Sequence, residues 1–144
     1  SKERKVQTMS IEENVRRIRQ EIARAALAAF LVQLDPTVPQ LADLKTAVSE
    51  AVTNCIVHAY EGTCGDIVLR AEIDGRTIHI EVEDHGVGIA DIEKAMKPYF
   101  TDKPERERSG MGFTIMESFT DEMQVFETLG GGVTVKMSKT FGEN

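Results

Sequence analysis

The chain has 144 residues, 41% hydrophobic and 28% charged, with a formal net charge of -7. That length suits one domain with one sizeable core, and the balance is that of a globular chain rather than a disordered one. The acidic excess argues against binding driven by neutralising nucleic-acid phosphates, no apolar run approaches the roughly 18 residues of a membrane span, and no signal peptide is visible.

Residues 4–9, RKVQTM, read as a short edge strand. Ser10 with Glu13 forms a capping box for a helix whose Ile11, Val15, Ile18 and Ile22 recur at helical spacing. The alanine-rich run to Phe30 continues it, and its other face carries Arg16, Arg17, Arg19 and Arg24. Such a face is ordinarily solvated, with partner docking the alternative. LDPTVP at 34–39 ends the helix, because a residue before proline is pushed out of the α region. Thr37 or Pro39 starts a second helix that stops near EGTCG at 61–65. It places Leu41, Leu44, Val48, Val52 and Cys55 on one broad apolar face, while Glu50, Asn54 and His58 form a polar stripe along its flank.

Cys55 therefore reads as a core residue. It and Cys64 are the two cysteines. They lack CxxC spacing and a histidine cluster, which disfavours zinc and a Cys–His nucleophile, and a reducing cytoplasm is the simplest setting. Two alternating strands follow, Ile67 to Ile73 and Ile78 to Val82, with the hairpin signal Asp74-Gly75 between them. Residues 89–96 read as a short helix and 97–109 as a long loop. A helix from about Met111 to Phe119, a strand through Met123, Val125 and Glu127, a turn at Gly130–Gly132 and a strand through Val133, Val135 and Met137 complete the chain. Two antiparallel hairpins, plus helices that need an apolar surface, predict a two-layer α+β sandwich.

Three short stretches carry chemistry. Glu50 and Asn54 present a carboxylate and an amide one turn apart. Asp84-His85-Gly86-Val87-Gly88 follows a strand, where glycines let the backbone approach a flat ligand and the Asp84 carboxylate can accept from an exocyclic amine such as N6 of adenine. Ser109-Gly110-Met111-Gly112 precedes a helix, where free N–H groups bind anions, and Lys103, Arg106 and Arg108 lie just before it. Taken singly, these are a solvated polar face, an Asp/Gly turn and a basic loop. Taken in order, they form an adenine acceptor, phosphate donors, a lid, an amide oxygen suited to Mg²⁺ and a carboxylate able to take a proton from an attacking hydroxyl or water.

In that order E-x-x-x-N at Glu50/Asn54, DHGVGI at 84–89, the PYFTDKP loop and SGMGF at 109–113 resemble the N, G1, F and G2 boxes of the GHKL ATPase/kinase superfamily, which includes DNA gyrase B, Hsp90, histidine kinases and MutL. LDPTVPQLADLKTAVSEAVTNCIVHAY and FTDKPERERSGMGFTIMESFTDE look most similar to the bacterial anti-sigma serine kinases. The resemblance runs from about Ile22 to the last strand; residues 1–21 depart from the family pattern.

The resemblance implies a Bergerat fold spanning 1–144 as one ATP-binding kinase domain, a mixed but mainly antiparallel sheet covered by helices on one face. It implies Glu50 as catalytic base, Asn54 as magnesium ligand and Asp84 as adenine acceptor, with Gly86 and Gly88 beside it. Thr101, Lys103 and Arg108 would come from the lid, and Ser109, Gly110, Met111, Gly112 and Phe113 would face the phosphates. Arg24 would contact a partner. ATP and Mg²⁺ would be bound, and the protein would be a cytoplasmic homodimer. It would hold a sporulation-type sigma factor inactive and phosphorylate a serine of an anti-anti-sigma protein. A purely ATP-gated binding module is the alternative. A detached histidine-kinase domain is disfavoured because no phosphoacceptor helix is present. His85 and Asp102 stand where close relatives carry an acidic and a hydroxyl residue.

Overall fold

Helical periodicity from Ile11 is realised as α1, Ile11–Leu31, in a computed structural model that describes residues 11–59, 65–88 and 112–142. The buried stripe of α1 is not the isoleucine one. Ala23, Leu27 and Leu31 are buried, with Leu34 of the following 3-10 turn, whereas Ile18 and Ile22 are 46% and 63% exposed. The leucines lie one residue round the helix from the isoleucines and face α2. The arginine face divides accordingly. Arg19 is half-buried and donates to the Gly65 carbonyl, while exposed Arg17 pairs with Glu21 at 3.3 Å. Gln20 fixes the helix laterally, its amide donating to the Thr53 hydroxyl.

Of the two candidate starts for α2, Val38–Asn54, Thr37 is the cap. Its hydroxyl accepts from the Gln40 N–H at 3.2 Å and its own N–H donates to the Gln40 side chain at 2.8 Å. This satisfies two of the donors that a helix start leaves orphaned. Leu44, Ala47, Val48, Ala51 and Val52 are buried, and Leu41 packs against them. After Asn54 the helix widens into a π turn, Cys55–Ala59.

The strands are β1 (Ile67–Asp74), β2 (Thr77–Asp84), β3 (Glu122–Glu127) and β4 (Val133–Thr140), and the short helix α3 (Gly112–Ser118) precedes β3. The sheet order is β1-β2-β4-β3, with all three pairings antiparallel. Asp74 pairs with Thr77, so the tight turn is Gly75-Arg76, one residue later than Asp74-Gly75, and Gly75 takes φ +62°. Alternation directs Ile78, Ile80 and Val82 inward beside Val133, Val135 and Met137, where they meet the helices. α1 packs on α2 and α2 on α3, giving the helix layer of a two-layer α+β sandwich. Full burial of a side chain such as Leu27 or Leu44 stabilises by about 1.5–3 kcal/mol.

The other sheet face is polar. Glu81 lies between Arg70 at 3.5 Å and Lys136 at 3.1 Å, in pairs exposed enough to contribute at most about 1 kcal/mol each. Among the described residues no helix is long and apolar enough to cross a membrane. The predicted strand at 4–9, the Ser10 cap, Cys64, the helix at 89–96 and the loop at 97–109 lie outside the described residues, as does the His58 side chain.

Candidate functional site

The flank of α2 that carries Glu50 and Asn54 is half-buried, and their spacing stacks one above the other. α3 begins directly against them. A Cβ on Gly112 would stand 3.2 Å from Asn54 Oδ1, 3.3 Å from its Nδ2 and 3.5 Å from Glu50 Oε2. Lack of a side chain at Gly112 therefore lets the start of α3 close on the carboxylate–amide stripe. Two motifs far apart in the chain meet there.

Asp84 ends β2 and is 3% exposed. Its Oδ1 accepts from the Gly86 N–H at 3.0 Å and from the Val133 N–H at 3.1 Å. Two backbone donors on one buried oxygen hold the carboxyl in place and compensate its desolvation. Gly132 presses on the same residue from β4's side: a Cβ there would fall 2.1 Å from the Asp84 carbonyl oxygen, and its φ is +104°. Gly86 and Gly88 lie in the loop after β2, with Gly88 at φ +77°.

The π turn packs on β2, and Cys55 and Asp84 are both buried there. Burial, then the negative charge of Asp84, pushes the Cys55 thiol far above its ordinary range. Asn54 and Cys55 are consecutive, so the end of α2 joins the stripe to the Asp84 cluster.

The structure thus brings Glu50, Asn54 and Gly112 together at one place and Asp84, Gly86 and Gly88 at an adjoining one. Phe113, grouped from sequence with the phosphate-facing residues, packs against the core. Arg24 is half-buried on α1. Thr101, Lys103, Arg108, Ser109, Gly110 and Met111 lie outside the described residues. Among the described residues no three His, Cys, Asp or Glu side chains gather as a metal cage. A magnesium ion held by one amide oxygen, waters and phosphates requires no such cage.

Sequence reasoning placed Gly132 in a turn and Cys55 in the core without connecting either to Asp84. The available signals were the glycine run before a strand and a cysteine directly after the E-x-x-x-N stretch. Neither reveals that both residues lie beside Asp84.

Comparison with known proteins bears on the fold and the family. The histidine kinase-like ATPase domain family matches residues 11–139. An anti-sigma F factor of Thermoanaerobacter sp. (strain X514) is 55% identical over 125 residues, 87% of each chain. An anti-sigma F factor of Geobacillus stearothermophilus is 48% identical over 136 residues, 94% of this chain and 93% of that one. Among solved structures, the catalytic domain of histidine kinase ThkA superposes with a TM-score of 0.57 at 20% identity, covering 69% of this chain and 67% of that one. At that identity the likeness speaks for the fold. With the family match over most of its length, and relatives this similar, the chain belongs to the histidine kinase-like ATPase domain family, in the group of the anti-sigma F factors.

Proposed function

We propose that the protein is an ATP-dependent serine kinase and anti-sigma factor, acting as one domain over its length. The partner is a sigma factor, the kind its relatives' name describes, which we take to be of the sporulation type, and the substrate is a serine of an anti-anti-sigma protein. The observation that carries the reading is the closure of Gly112 on Glu50 and Asn54, because it sets a carboxylate beside the helix start expected to face phosphates.

In this reading Asp84 accepts the 6-amino group of adenine, with Gly86 and Gly88 leaving room for the base. Gly112 gives the phosphates backbone access, aided by Ser109, Gly110, Met111, Phe113 and the lid residues Thr101, Lys103 and Arg108. Asn54 Oδ1 fits Mg²⁺ as a hard neutral oxygen at a cradle walled by Gly112, and the ion when bound would neutralise charge on the phosphate oxygens. Glu50 takes the proton of the substrate hydroxyl as its Oγ–Pγ bond forms and the bond from Pγ to the departing ADP oxygen breaks. Most of the protein's contribution is positioning. Arg24 serves a partner contact, the active form is a homodimer, and its setting is the cytoplasm.

The test is transfer of labelled γ-phosphate from Mg-ATP to a purified anti-anti-sigma protein. Label on a serine of the partner, lost in Glu50→Gln while calorimetry shows unchanged ATP binding, supports both the kinase and its base. Wild-type ATP binding without any transfer would reduce the protein to an ATP-gated partner-binding module.

A further inference from the structure

α1 is apolar on two sides. Ala23, Leu27 and Leu31 are buried where the helix packs on α2. On the side turned to solvent stand Ile18, Ile22, Ala25, Ala29 and, in the 3-10 turn that follows, Val32. All five are exposed, the two isoleucines and the valine at 46%, 63% and 71%. They are alternately four and three residues apart, the spacing of a coiled-coil seam, and in the sequence Val15 and Ile11 continue it. A helix that only covers its own core turns polar residues to solvent, so a second seam of this spacing is a surface for another helix.

The order of sizes along the seam says which helix fits. The isoleucines come first and the alanines follow. Lay a second copy of α1 antiparallel, with the twofold axis passing between Ala23 and Arg24. Ile22 then falls opposite Ala25 of the second copy and Ile18 opposite its Ala29, and symmetry repeats both contacts. Each layer pairs a large side chain with a small one, which fills the seam evenly. A parallel pair would set isoleucine on isoleucine and alanine on alanine, crowding one half and leaving voids in the other. Glu21, flanking the seam, is paired with Arg17 at 3.3 Å, so its charge does not oppose the approach.

We propose that this face of α1 is an interface between two copies of the chain, which pair antiparallel through Ile18, Ile22, Ala25, Ala29 and Val32. This rests on the homodimer reading and names its surface.

The test is sedimentation equilibrium of the full chain across micromolar concentrations, on wild type, Ile22→Glu and Val38→Glu. Wild type is expected to be a dimer. Ile22→Glu should raise the dissociation constant about tenfold or more, because it sets a carboxylate against an apolar side chain. Val38 is 82% exposed but lies on α2, away from the seam, so Val38→Glu should leave the dimer intact. Orientation is read by disulfide formation. A mixture of Ile18→Cys and Ala29→Cys proteins should cross-link one to the other, and neither should cross-link to itself at a comparable rate. This second measurement stands even if Ile22→Glu fails to fold.

A monomeric wild type overturns the proposal and the homodimer reading together. A dimer that persists in a folded Ile22→Glu overturns the proposal alone and puts the homodimer on another surface. Equal weakening in Val38→Glu, or Ile18→Cys cross-linking to itself in place of Ala29→Cys, also overturns it.

Discussion

Asp84 and Gly132 are in backbone contact so close that the Asp84 carbonyl oxygen lies 2.1 Å from where Gly132 would carry a Cβ. Gly132 also holds φ +104°, a conformation that side chains rarely adopt. Gly132→Ala should therefore lose about 3 kcal/mol or more of stability, since both the strain and the clash fall on backbone that cannot give. It should also pull Val133 N–H from the Asp84 carboxylate. Urea unfolding with ATP absent reads the first effect, and ATP calorimetry on the remaining folded protein reads the second. A stability change under about 1 kcal/mol would show that the turn relaxes freely.

Gly112 differs, because its neighbours are side chains. At 3.2–3.5 Å from Asn54 and Glu50, an added methyl displaces them by a few tenths of an ångström without breaking the helix. Alanine is also the better helix former by up to about 1 kcal/mol. Gly112→Ala should thus leave thermal stability nearly unchanged while phosphotransfer falls about tenfold or more, the scale expected for slight misplacement of reacting groups. The two readouts are a melting curve and the rate of label transfer.

The Gln20–Thr53 hydrogen bond ties α1 to α2 one residue before Asn54. Thr53→Val keeps the shape and removes the acceptor, leaving the part-buried Gln20 amide without its partner. Stability should drop by about 1 kcal/mol, and Gln20→Leu in the same background should recover part of it, because pairing two apolar groups avoids the unmet donor. A double-mutant cycle by urea unfolding measures this coupling.

Cys55 gives the pH dependence a definite sign. In the unfolded chain the thiol ionises near its ordinary value of 9.0, whereas in the folded chain burial and Asp84 hold it protonated to much higher pH. The folded state then binds more protons, so this group's stabilisation is complete below pH 9.0 and diminishes as pH rises above it. Between pH 8 and 10 wild type should lose about 1 kcal/mol more than Cys55→Ser, whose hydroxyl does not titrate there. Parallel losses in urea unfolding at the two pH values would mean that the folded thiol ionises freely.

Much of the architecture was legible because it depends on local patterns. The alternation in β2 assigned Ile78, Ile80 and Val82 to one face, and all three are buried. Pro36 marked the break between helices, the start of the second was narrowed to Thr37 or Pro39, and the spacing of Glu50 and Asn54 placed both on one flank. In α1 the spacing alone did not say which stripe is buried. Isoleucine and leucine series both repeat at helical spacing, and only the neighbour α2 decides which is covered, leaving Ile22 63% exposed.

By itself the sequence determined the element types among the described residues, the sheet's apolar face and the ordered set of motifs that marks the family. These follow from i, i+2 and i, i+4 relations, from caps and from glycine positions, which need no knowledge of distant contacts. Only the tertiary structure decided that Gly112 closes on Glu50 and Asn54, that Val133 reaches Asp84 across a separation of 49 residues, and that Gly132 packs against the Asp84 backbone. Close approaches of that kind are set by how remote elements pack, where a methyl group or one donor decides the fit.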